Sequence, residues 1–427
     1  MKNTIATASV DLFQIKRREY SHRAFHIAQR LYPWRSSESI ESILIYPSVQ
    51  SPSTLGDLCN RMGWYLPEHG ITDCTVHLPL LSDLEIDDRE PPETAAEFST
   101  NHIQISIHES SETFQLAGQV DQILVWDSTR RIDLTTVKNL EKVDIIDPAY
   151  YSTVECTTWP RVSNQALSPI ESNHSTRNFN ELKMKAKDAD AAYVFATGPS
   201  LDEALDFDFP ENSIKIVCNS IVKNEELLEQ IDPDIIVFAD PVFHFGPSRY
   251  AEEFRKDLST TLHNYDCMAA FPNQYYKLLS HHYPELCNQF IQLESKSSDE
   301  PIFPTAEKLQ VMGTSNIMTL FMLPIAMSLS DELYIIGADG REDNESYFWK
   351  HSDTAQYNDE LMRSVAETHP SFFRDRVYED YYDQHVQTLT EMIEYGEANG
   401  IESYNLTHSY IPCLRERSIT PEEAEVI

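Results

Sequence analysis

The chain has 427 residues with 33 Lys+Arg against 69 Asp+Glu, a formal charge of −36 and a pI near 4.6. Binding a polyanion needs a basic face, so nucleic acid is excluded as the expected partner. With 41% apolar and 11% aromatic residues the chain can bury a sizeable core, which excludes general disorder, and its length suits two domains or three.

A helical, mixed-charge start over 13–31 is followed by short apolar runs: SILIYP (42–47), CTVHLPL (74–80), HIQISIH (102–108), QILVWD (122–127) and VDIID (143–147). Their alternation with polar helical stretches predicts a mostly parallel sheet covered by helices. From about 157 to 180 the rhythm gives way to Ser, Asn, Thr and Arg, which reads as a connection. The expected division is a first α/β domain over 1–156, a linker over 157–185 and a second domain over 186–427. In the second, six strand-like runs recur at 191–200, 213–220, 233–241, 267–272, 331–340 and 401–407. Two helices are easily placed there, one from the Ser315/Asn316 turn to about Leu329 and one over 381–398, ended by Gly400. The fold class is therefore α/β, two Rossmann-like domains facing a cleft, with ligands at the carboxyl ends of the strands.

Seven cysteines without a CxxC pair disfavour disulfides and structural zinc. The amino terminus breaks every apolar stretch with a polar residue, and no run reaches the ~18 apolar residues of a membrane span. A soluble, cytoplasmic protein is expected, with no metal.

Thr197-Gly198-Pro199-Ser200-Leu201 lies between a strand and a helix beginning Asp-Glu-Ala-Leu. Gly198 permits close backbone approach, Pro199 suits a first helical turn, and the amides of Ser200 and Leu201 can face an anion. This reads as a phosphate seat or, equally in keeping with its chemistry, as a tight turn with a capping serine. Gly313-Thr314-Ser315-Asn316 is a second small-polar N-cap, and two such turns in one doubly wound domain point to a nucleotide. Asn219, Asp240 and Asp339 end buried strands, where side chains serve function or brace a loop. Arg341, Lys350, His351, Arg363, His369, Arg374, Arg376 and His385 gather among aromatic residues in an acidic chain. That suits an anionic sugar nucleotide or, diluted by carboxylates, a solvated face. For proton transfer His369, His351 and Lys350 are candidates, with Glu155 from the opposite wall; Glu155 reads equally as an exposed loop residue. Asp232-Pro233-Asp234 precedes a strand and reads as a turn. Walker, GxGxxG, HExxH and GxSxG patterns are absent from the sequence.

GPSL (198–201), CNS (218–220), FADP (238–241), GTSN (313–316) and IIGADG (335–340) occur in the order of GNGPSL, CNQ, N-P, RITSG and SGID in bacterial sialyltransferases. Over about 190–415 the chain thus resembles bacterial CMP-sugar-dependent transferases. The resemblance implies that Gly198, Pro199, Ser200 and Asn219 hold CMP and that Thr314 and Ser315 line its phosphate and cytidine side; Asp339, from its strand end, and Lys350, from the cationic stretch, are further donor-binding candidates in a GT-B-like pair of domains. Met312 stands where that family has arginine, and Asp240 where it has asparagine. The family's His-Ser base is matched in letters by His351-Ser352, while His369-Pro370 lies nearer the expected spacing. A carboxylate can attack an anomeric carbon where an amide cannot. Asp240 therefore makes the chain look more like the retaining β-Kdo transferases, with CMP-β-Kdo as donor and a surface-polysaccharide or lipid-linked glycan as acceptor. Peripheral association with the inner face of the bacterial inner membrane is compatible with this. Alternatives are an inverting enzyme using a CMP-nonulosonate, a non-catalytic polysaccharide-assembly module, and a metal-requiring enzyme related to pterin diphosphokinases or flagellin-modifying proteins, which have similar GPSL turns.

Overall fold

Two parallel sheets organise the computed structural model, which describes residues 39–129, 142–149, 152–170, 173–341, 354–374, 378–424 and 426. The first contains β1 (Ser42–Tyr46), β2 (Thr75–Leu80), β3 (Gln104–Glu109), β4 (Gln122–Val125) and β5 (Val143–Ile145), in the order β3-β2-β1-β4-β5. β4 and β5 are buried throughout, as helix-covered parallel strands require, whereas edge strand β3 exposes Gln104, Ile107 and Glu109.

The second sheet contains β6 (Ala191–Phe195), β7 (Ser213–Cys218), β8 (Ile235–Val237), β9 (Met268–Pro272), β10 (Phe290–Lys296), β11 (Gln310–Met312), β12 (Glu332–Ile336) and β13 (Glu402–Asn405). Its order is β11-β10-β9-β8-β7-β6-β12-β13, so the chain runs outward from β6 on one side, then returns to place β12 on the other. Strand order therefore reverses between β6 and β12, where a doubly wound sheet opens a crevice at its carboxyl edge.

Every strand expected from the sequence is present. β10 and β11 were not expected. The segment 157–185, expected to connect two domains, instead holds most of the helices Ser152–Ala166 and Ser175–Ala186. Pro160 sits inside the first and cannot donate to the carbonyl of Cys156, which accepts from Tyr275 Oη at 3.2 Å instead. The helix expected after the Ser315/Asn316 turn begins as a π turn over Met318–Met322 and continues as an α-helix over Leu323–Leu329. Pro324 lies in the α-helix's first turn, and the wider turn before it avoids the clash its ring would make with the carbonyl four residues back. Asp232 ends a helix in the left-handed region and Asp234 accepts from the amide of Lys215, so this pair is a bracing turn as expected.

Between the sheets the expected cleft is packed at its centre. One apolar cluster runs from Ile43, Leu55 and Trp159 of the first half to Phe238, Phe245 and Tyr275 of the second. Trp64 Nε1 donates to the carbonyl of Phe245 at 2.7 Å, and the Arg255 guanidinium lies 3.8 Å from the Trp64 ring.

Candidate functional site

At the β6/β12 reversal the backbone of Gly198 lies against β12: its amide donates to Gly337 O at 2.8 Å. A Cβ on Gly198 would fall 2.2 Å from Asp339 Oδ2 and 2.5 Å from Gly337 O, so only glycine allows this approach. The Ser200 amide donates to both Asp339 carboxylate oxygens at 3.2 Å, and Ser200 Oγ donates to Oδ2 at 2.8 Å. The anion seat read from the sequence is thus filled from within by Asp339, correcting its assignment to a ligand phosphate. Burial raises the Asp339 carboxyl, partly offset by the Ser200 donors. The crevice beside it, lined by Thr197, Cys218, Met318 and Ile411, encloses about 30 Å³, room for a water or two.

A larger cavity of about 320 Å³ adjoins it, sharing Asn316 and His385. Its floor is the Gly313–Asn316 turn, where Asn316 Oδ1 accepts from the Met318 amide at 2.9 Å, and Thr319 Oγ1 donates to Thr314 Oγ1 at 2.9 Å. Tyr381, whose hydroxyl donates to Ser315 O, and Glu391 stand on the opposing helix, Tyr378–Ala398. His385 is 6% exposed, and burial lowers its imidazole to about 4.

The same edge continues across β7 and β8. Asn219 follows β7 in the left-handed region (φ 50°), with its Oδ1 buried and without a hydrogen-bond partner among the described residues. A buried orphan acceptor calls for a donor from elsewhere, water or ligand. Asp240 follows β8. Its Oδ1 accepts from the amides of Val242 (2.8 Å) and Phe243 (3.1 Å), while its own amide donates to His244 Nδ1 at 3.0 Å. This carboxylate therefore folds the loop that follows it.

That loop rests on a second polar cluster between the halves. Arg61, on helix Pro52–Tyr65, donates to Asp57 Oδ2 (2.9 Å), Glu155 Oε1 (2.7 Å) and Thr368 O (2.7 Å). Glu155 Oε2 lies 3.2 Å from His369 Nδ1, and both side chains are wholly buried, which corrects the reading of Glu155 as an exposed loop residue. Burial opposes the Glu155 charge, but Arg61 and His369 outweigh it and hold the carboxyl below its usual range. Burial lowers His369, with Glu155 opposing. A Cβ on Gly246 would lie 2.7 Å from His369 Nε2, so the 240–246 loop sits directly on the ring. His369 and Glu155 do meet, as their joint candidacy required, but enclosed beneath the loop rather than facing a cavity.

Glu155, Cys156 and His369 are a possible metal-ligand set among the described residues. Cys156 Sγ lies 3.7 Å from Nδ1 and 4.0 Å from Nε2 of His369, over the ring rather than in line with one lone pair. Burial also pushes the Cys156 thiol up, away from the thiolate a metal requires. The set fits a hydrogen-bonded cluster better than a metal centre.

The structure thus gathers Gly198, Pro199, Ser200, Asn219, Asp240, Thr314, Ser315 and Asp339 along one sheet edge, and seats Glu155 and His369 below it. Lys350 and His351 lie outside the described residues. Sequence reasoning passed over Arg61, Tyr381 and the 407–411 loop. The last follows a strand end, as Asn219 and Asp339 do, and the same rule applied to β13 finds it.

No protein-family model and no curated protein matches the chain. Among solved structures it is similar to the sialyltransferase CstII from Campylobacter jejuni, at 12% identity and TM-score 0.29 over 53% of this chain and 87% of that one. It is similar too to the alpha-2,3-sialyltransferase Cst-I from the same organism, at 12% identity and TM-score 0.31 over 55% and 81%. Likeness at this level bears on neither activity nor substrate.

Proposed function

We propose that the protein is a metal-independent, CMP-sugar-dependent glycosyltransferase that moves a 2-keto sugar acid, β-Kdo with retention, to a surface-polysaccharide or lipid-linked glycan. The observation that carries this reading is the orphan acceptor of Asn219 beside the strand-order reversal, where a nucleotide's amino or hydroxyl donor would satisfy it. Because Asp339 fills the seat at Ser200, the CMP phosphate belongs at the Thr314–Asn316 turn, at the amino end of the helical stretch 318–329. Asp339 and Asn219 then serve ribose and base. Asp240 stands two strands from β6, about 10 Å at ~4.8 Å per strand, a span suited to the sugar of a bound nucleotide.

In this reading Asp240 attacks the anomeric carbon, the bond to the CMP phosphate breaks, and CMP leaves with the electron pair. The acceptor oxygen then displaces Asp240, restoring the donor's anomeric configuration. Residues 1–156 would present the acceptor, and Lys350 would contribute charge at the donor. No described helix is long and apolar enough to cross a membrane, so a lipid-linked acceptor would be met from the membrane surface.

A second reading is favoured by Asp240 Oδ1 acting as a cap: an inverting transfer of a CMP-nonulosonate, with Asp240 structural. Calorimetric titration tests the donor site. CMP should bind with and without chelator; no affinity, or affinity only with a divalent metal, rules out the placement. Purified protein given CMP-Kdo or CMP-sialic acid should release CMP.

A further inference from the structure

At the edge of the first sheet two histidines share one face. His77 of β2 stands opposite Ser106 of β3 in the register, and His108 follows two residues on, so all three side chains leave the sheet on the same side. His77 Nδ1 lies 2.9 Å from His108 Nε2, with the ring centroids 5.1 Å apart. Ser106 Oγ lies 3.0 Å from the same Nε2. On the far side of the ring, His108 Nδ1 meets Glu112 Oε2 at 3.1 Å. Neither imidazole is sealed in: both are half-buried, the His108 side chain 19% exposed.

The Glu112 carboxylate fixes the proton on His108. With Nδ1–H donating to Glu112, Nε2 carries a lone pair that faces His77, the arrangement by which a carboxylate orients a metal-binding imidazole. His77 and Ser106 both crowd this one acceptor, so giving its lone pair to a metal forfeits little. Burial and the neighbouring His108 lower the His77 imidazole, which favours its neutral form. In the Nε2–H tautomer the lone pair on His77 Nδ1 faces His108 in turn. At bond lengths of about 2.0–2.1 Å, two nitrogens on one ion stand about 2.9 Å apart at a right angle and about 3.3 Å apart at the tetrahedral angle. The observed 2.9 Å matches the right angle, which is the edge of a square-planar or octahedral shell.

We propose that His77 Nδ1 and His108 Nε2 bind one divalent transition-metal ion of the imidazole-preferring kind (nickel, copper or zinc), with water completing its shell and Glu112 as a positioning residue. Magnesium and calcium do not suit the site, because they take sets of oxygens. The net charge of −36 concentrates cations around the chain. Neutral imidazoles bind without losing a proton, whereas the buried Cys156 thiol of the Glu155–Cys156–His369 set would have to lose one. The pair belongs to the first sheet and the donor turns to the second, so this inference goes beyond the CMP-sugar reading and does not rest on it. Chelation removes this ion and leaves CMP affinity as it was.

The test uses the full chain without an affinity tag. Calorimetric titration with Ni(II) or Zn(II) should show one equivalent bound, and Mg(II) at the same concentrations should show none. His77→Gln and His108→Gln should each weaken that equivalent at least tenfold, and Glu112→Gln about tenfold, with circular dichroism in the absence of metal confirming that each variant folds. Ser106→Ala removes no ligand and should stay within threefold of the parent. A second measurement needs no variant: diethyl pyrocarbonate labelling of the parent, read by peptide mass spectrometry, should show Zn(II) protecting His77 and His108 together. Absence of a saturable equivalent, equal binding of Mg(II), unchanged affinity in either folded histidine variant, or labelling of the pair indifferent to Zn(II) overturns the site. Titrating CMP into the same samples keeps the two readings apart, since a chain that holds the ion but binds no CMP loses the donor reading alone.

Discussion

At the scale of single residues, two carboxylates decide most. Asp240→Asn keeps the acceptor atom that caps Val242 and Phe243, so the variant should fold and bind CMP as the parent does. If Asp240 is the nucleophile, turnover should fall at least 10³-fold, since no other group replaces a covalent step, and the parent should return product of the donor's anomeric configuration. Substantial activity in the variant, or an inverted product by NMR, selects the inverting reading. Glu155 is the second. Glu155→Gln removes the charge that Arg61 and His369 share, leaving a buried guanidinium with Asp57 alone. Breaking such a pair costs about 3–5 kcal/mol, to be read from urea midpoints, and a cost below about 1 kcal/mol would show that the cluster adapts freely.

At the scale of elements, the turn after β6 admits no side chain. Gly198→Ala would push a methyl into Asp339 and the Gly337 carbonyl, costing about 1–3 kcal/mol by overpacking. It should also displace Asp339 from the Ser200 amide, so CMP affinity should weaken more than tenfold; unchanged affinity by titration would separate this turn from the donor site. Eleven strands were legible, most because buried parallel strands read as unbroken apolar runs between turn signals, and the edge strand β3 because apolar and polar residues alternate in it. β10 escaped because only Phe290, Ile291 and Leu293 are apolar before the polar run Glu294–Lys296, with Phe290 packed on one face of the sheet and Ile291 and Leu293 on the other, and β11 because three residues are too few to show a period. The helix Ser152–Ala166 was hidden by Pro160 and its hydroxyl-rich face, although Cys156, Trp159, Val162 and Ala166 mark a buried stripe at helical spacing. Of the site, the strand-end residues were readable because topology places them. That Asp339 would occupy the Ser200 amide was not, because it depends on a contact between residues 139 apart in sequence.

At the scale of the molecule, stability should respond to mild acid. Burial lowers His244 and His385 to about 4 and His282 to about 3, so each stays neutral in the fold while its unfolded counterpart takes up a proton near 6.5. Folded pKa values below unfolded ones mean that the stability is whole above pH 6.5 and drains as pH falls toward the folded values. At pH 5.5 the three together cost about 4 kcal/mol, a large share of a typical 5–15 kcal/mol. Glu155, held low, adds loss only below its unfolded range near 4.5. Urea titrations at pH 7.5 and 5.5 should differ accordingly, and equal midpoints would contradict the burial of these rings.

The apolar cluster that passes from one sheet into the other has a consequence for heredity as well as for folding. A piece of protein can be moved between genes only if its surfaces are finished, and here Trp159 on one side and Phe245 and Tyr275 on the other belong to one shared apolar cluster. Neither sheet is a cassette. The two should melt in a single calorimetric transition, and a truncation that keeps either half alone should expose this cluster to water.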